Sequence, residues 1–100
     1  MPIGSFVNLL PAPVFLAIHL AAFLIGAGFA WRSFGAGAQL VGWGFALFAL
    51  AEVSYMTYHL DATVFLFAHT VSEVLDLLAF VSIFVASTQR ALAPERVRAS

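Results

Sequence analysis

The chain has 100 residues, of which 63% are hydrophobic and 9% charged, with a net charge of −1. A single soluble domain of this size cannot hide so much apolar surface, so lipid is the expected solvent. The net charge itself says nothing about nucleic acid, but the four arginines form no patch that could follow a phosphate backbone, so no nucleic-acid partner is expected. Without cysteine, disulfides and thiolate metal sites are excluded as well.

Met1-Pro-Ile-Gly-Ser5 carries no basic segment of the kind that opens a secretory signal, so the first apolar run is read as a retained helix. Residues 1–12 read as an interfacial segment, and Pro11 and Pro13 suit a helix start. Three apolar runs follow: Val14–Trp31 (18 residues), Leu40–Tyr58 (19 residues) and Thr63–Ser87 (25 residues). About 20 residues at about 1.5 Å each cross a hydrocarbon core of about 30 Å, so each run spans once. Arg32–Gln39 reads as a glycine-containing turn, and Leu60-Asp61-Ala62 as a tighter one. Pro94 closes the third helix, and Ala91–Ser100 forms a polar tail. The expected fold is therefore an all-α membrane protein, a single domain with three transmembrane helices.

Arg32 lies in the first turn and Arg90, Arg96 and Arg98 in the tail, which three spans place on one side. The positive-inside rule makes that side cytoplasmic and leaves the N-terminus outside, in a multi-pass protein of the cell (plasma or inner) membrane. Gly26 and Ala30 fall opposite Ala46 and Gly42 in depth, a small-residue spacing that brings two helix backbones close.

Ionisable residues interrupt the apolar runs. His19, Glu52, His69, Glu73 and Asp76 have no Lys or Arg near them, and intramembrane acids and histidines are functional suspects. The third run contains fourteen Val, Leu, Ile and Phe residues. Each offers roughly −0.3 to −0.6 kcal/mol of insertion energy, while one central charged Asp costs about +2.5 to +3.5 kcal/mol. The polar side of this helix should face protein.

On the second helix Glu52, Tyr55, Met56 and His59 share a face, and on the third His69, Ser72, Glu73 and Asp76 do so. Counting outward from the turns puts His19 opposite Val53, beside Glu52, and Glu52 opposite Thr70, beside His69. Three helices then offer potential ligands at one level, with Glu73 one turn deeper. The residues point first to a transition metal (Zn, Fe, Mn, Ni or Cu) held by His19, Glu52, His69 and Glu73, supported by Asp76, Tyr55, Ser72 and His59. Haem b on His19 and His69 is a related reading, ranked lower because no outer-side Arg or Lys meets its propionates.

Two other readings come from different classes. His59, Glu52, His69, Glu73 and Asp76 descend as a proton or cation relay would, though beyond Phe80 and Ile83 no polar group follows until Ser87, so an oligomer would have to complete the path. Alternatively the cluster is structural: His69 bonds Glu52, His19 bonds a carboxyl, Ser72 and Asp76 bond backbone, and the chain is an accessory subunit of a larger membrane complex. Homo-oligomers or other membrane subunits are the expected partners. No nucleophile–base pair or phosphate loop points to an enzyme. Three spans with an outside N-terminus resemble the trimeric copper transporters in topology, but Met56 stands alone, with no Met-x-x-x-Met and no Met-rich leader.

Overall fold

The computed structural model describes residues 3–92; Pro94, Arg96 and Arg98 lie outside the described residues, as does most of the expected tail. Among the described residues all regular structure is helical: a 3-10 turn at Ser5–Leu9, then α1 (Ala12–Gly35), α2 (Gln39–His59) and α3 (Phe65–Leu92). Each of the three α-helices is long and apolar enough to cross a membrane.

The helices outlast the apolar runs, because a helix stops where the backbone breaks and not where hydrophobicity fades. Pro11 caps α1 with extended backbone (φ −71°, ψ 154°), and Pro13 sits in the first turn, where its missing N–H has no partner to lose. Past Trp31 the helix continues through Arg32-Ser-Phe-Gly to Gly35, and the chain turns at Gly37. There a φ of 81° lets the N–H groups of Ala36, Gly37 and Ala38 close onto the carbonyls of Arg32, Phe34 and Ser33. The second turn is built the same way around Asp61, whose φ of 63° is a conformation that Asp tolerates. The Ala62 N–H reaches the Thr57 carbonyl at 2.9 Å. Thr57 braces this turn, donating to the Ser54 carbonyl at 2.6 Å and bonding the Thr63 hydroxyl at 3.0 Å.

α2 is the centre of the molecule. The backbones of α1 and α3 each run close along it and not close to each other. It is also the least apolar helix, with a mean hydropathy of 1.4 against 2.1 and 1.8, and the most enclosed. The least lipid-compatible segment therefore takes the most protected position.

Small residues make both seams. Between α1 and α2, Gly26 and Ala30 are buried, and an added Cβ on Gly26 would come within 2.7 Å of the Phe48 ring and 3.4 Å of the Phe45 carbonyl oxygen. Gly42 likewise receives the ring of Phe34. In the seam between α2 and α3 Ser72 bonds backbone, as the structural reading of the sequence expects, while that reading does not single out the small residues beside it. Gly44 lies against Ile83 and the Ala79 carbonyl, and Ala51, Ala68, Ser72 and Ala79 are buried alongside. Ser72 donates to the Ala51 carbonyl at 2.9 Å and Ser54 to the Ala68 carbonyl at 3.2 Å, which ties the two backbones together.

Candidate functional site

Glu52, Tyr55 and His59 recur at steps of three and four, so one face of α2 carries all three. Glu52 is buried, with 9% of its surface exposed. It faces α1, where its Oε2 lies 2.5 Å from His19 Nδ1. The His19 side chain is 20% exposed, so this acid–imidazole pair is held mainly among protein atoms.

Rings bracket the pair. The His19 ring stacks on Tyr55 (centroids 5.0 Å apart) and on His59 (5.3 Å), and Phe15 stacks on the other partner, His59, at 5.0 Å. The Tyr55 hydroxyl is hydrogen-bonded to His69 Nδ1 at 3.3 Å, and Phe65 stacks on His69 at 5.2 Å. Tyr55 joins the His19 side of the cluster to the His69 side through its ring and hydroxyl, and the rings of His59, Tyr58 and Phe65 make a second path between them. Tyr55 is more central than a supporting role implies.

The other expected members stand apart. His69 is bonded to Tyr55 and not to Glu52. Ser72 is fully buried in the α2–α3 seam, on the Ala51 carbonyl. Glu73 is exposed. Asp76 makes no backbone bond through Oδ1, which is buried without a hydrogen-bond partner among the described residues. Beside Asp76 a cavity of about 290 Å³ opens between α1 and α3, walled by Phe29, Phe45, Phe48 and Phe80. The polar ladder therefore runs into an aromatic wall. Among the described residues, no three His, Asp or Glu side chains converge closely enough to hold a metal ion.

The sequence alone does not single out Phe15 and Phe65. For Phe65 a signal exists: it precedes His69 by four residues, and one helical turn puts ring over ring. Phe15 stacks across helices on His59, which no spacing within α1 announces. At the end of the layer nearest His59, the 3-10 turn folds beside the Asp61 turn and leaves an open cavity of about 430 Å³, which His59 also lines. Comparison with protein-family models, curated proteins and solved structures finds no match to this chain, so the functional reading rests on the residues themselves.

Proposed function

We propose that the chain is a multi-pass protein of the cell membrane, with its N-terminus outside, whose outer-half polar network takes up and passes protons within an oligomer. The observation that carries this reading is the bond between His19 and Glu52 across two helices. A carboxyl and an imidazole are groups that take up and release protons, and no Lys or Arg is near either in the sequence. His59 stands on the side of the open cavity, and Tyr55 and His69 extend the network to α3. Asp76 lies farther along α3, its buried Oδ1 without a hydrogen-bond partner among the described residues and available to a proton. Phe45, Phe48 and Phe80 then close the way within one subunit. The exposed Glu73 carboxyl is costly against lipid and is better met by a neighbouring copy. Arg32 and Arg90, at the opposite end, support a cytoplasmic position for that end by the positive-inside rule.

The test is proton flux into proteoliposomes carrying a pH-sensitive dye, with a potassium diffusion potential as the driving force. Wild-type protein is expected to acidify the lumen, and Asp76→Asn to lower the rate by at least about tenfold, since the amide cannot carry the proton onward. Wild-type vesicles no leakier than empty ones would overturn the reading.

A metal ion or haem is the second reading, favoured by one feature: both His19 and His69 are held at Nδ1, by a carboxyl and a phenol, which is how ligating histidines are commonly oriented. Nε2 is then the ring nitrogen left for a ligand. A stoichiometric metal or a Soret band in purified protein, lost in His69→Ala, would establish it.

A further inference from the structure

The open cavity at the His59 end has a character of its own. It measures about 430 Å³, within the range of small-molecule sites of about 300–1,000 Å³. Asn8, Phe15, Tyr58, His59, Asp61 and Phe65 supply its polar and aromatic wall. The rings form one cluster, with Phe15–His59, Tyr58–His59 and Tyr58–Phe65 centroids 5.0, 4.9 and 5.3 Å apart. Asp61 is the one carboxylate, and no Lys or Arg is among the described residues that line the cavity. Its turn is fixed by backbone bonds from the Asp61 N–H to the Tyr58 carbonyl and from the Ala62 N–H to the Thr57 carbonyl.

That wall selects by charge and hydration. An anion meets the Asp61 carboxylate and is repelled. A strongly hydrated metal ion needs several oxygen ligands to replace its water, whereas this wall offers a single carboxylate beside four rings. A weakly hydrated organic cation gains from both features, since aromatic faces attract a cation within about 6 Å of the ring centroid and the carboxylate supplies a full counter-charge. We infer that this outer vestibule binds a small organic ammonium ion, with Phe15, Tyr58 and Phe65 against its alkyl groups and Asp61 as its counter-ion. The site does not depend on proton flux. The same ammonium chemistry is offered by a free solute and by a choline-type lipid headgroup.

The experiment is calorimetric titration of the full chain in phosphatidylglycerol nanodiscs with choline, and with 3,3-dimethylbutanol as its uncharged isostere. Choline is expected to bind and the isostere to bind far more weakly. Asp61→Asn, which keeps a residue that tolerates positive φ, is expected to weaken choline by about fivefold or more. Phe65→Leu keeps the charge and is expected to weaken it about two- to fivefold. Repeating the titration in phosphatidylcholine nanodiscs separates the sources: choline binding lost there identifies the headgroup as occupant, and binding unchanged identifies the free solute. No choline binding in phosphatidylglycerol discs, equal binding of the isostere, or wild-type affinity in both variants would overturn the inference.

Discussion

Glu52→Gln is expected to lower proton flux by about a hundredfold while leaving the helices packed. Glutamine matches glutamate in size and keeps an oxygen that accepts a hydrogen bond from His19, so the contact between α1 and α2 survives. What it loses is the ability to take up and release a proton. Glu52→Leu separates the two roles of the side chain. It removes the acceptor as well, leaving His19 Nδ1 without the partner it has at 2.5 Å. An unpaired buried donor costs about 1–3 kcal/mol. Here the lower end applies, because His19 is partly exposed and interhelical hydrogen bonds in membranes average about 0.6 kcal/mol. Flux in proteoliposomes and unfolding in mixed micelles check the pair of variants. A Gln variant with wild-type flux would show that the carboxyl only ties helices together.

Gly44→Ala is expected to be the most damaging of the glycine substitutions, destabilising by about 1–3 kcal/mol. An added Cβ at Gly44 would stand 2.5 Å from Ile83 Cγ1 and 3.1 Å from the Ala79 carbonyl oxygen. The second contact is backbone, so relief requires α2 and α3 to move apart, which strains the Ser72–Ala51 and Ser54–Ala68 bonds. At Gly26 and Gly42 the closest contacts are the rings of Phe48 and Phe34. Those rings can turn, and alanine recovers up to about 1 kcal/mol of helix propensity, so both substitutions should fall near neutral. Unfolding in mixed micelles that ranked Gly44→Ala no worse than Gly26→Ala would contradict the packing described for α2 and α3.

Length and hydropathy make the three helices readable in the sequence, because runs of 18 or more apolar residues have few other uses. The helix ends are less readable, since they depend on Pro11, Gly37 and Asp61 and not on where the apolar runs stop. Counting from the turns puts His19 beside Glu52, and the structure joins these two residues by a hydrogen bond. The same count puts His69 at the Glu52 level, yet Tyr55, one turn along α2, is its partner. Residue counting fixes depth but not helix rotation, which is why Glu73 is found exposed and Ser72 in the seam. Nor does the periodicity of each helix say which helix lies between the others. That α2 lies between α1 and α3 depends on tertiary packing.

The account turns on His19 and Glu52 acting as one proton-handling unit, and a double-variant cycle on flux tests that most directly. His19→Phe keeps a ring against Tyr55 and His59, Glu52→Gln keeps the volume of the acid, and each alone should stop most of the flux. For groups that act together the losses do not add, so the double variant is expected to be no slower than the slower single variant. Losses that multiply in the double variant would show two independent groups, and would contradict the account.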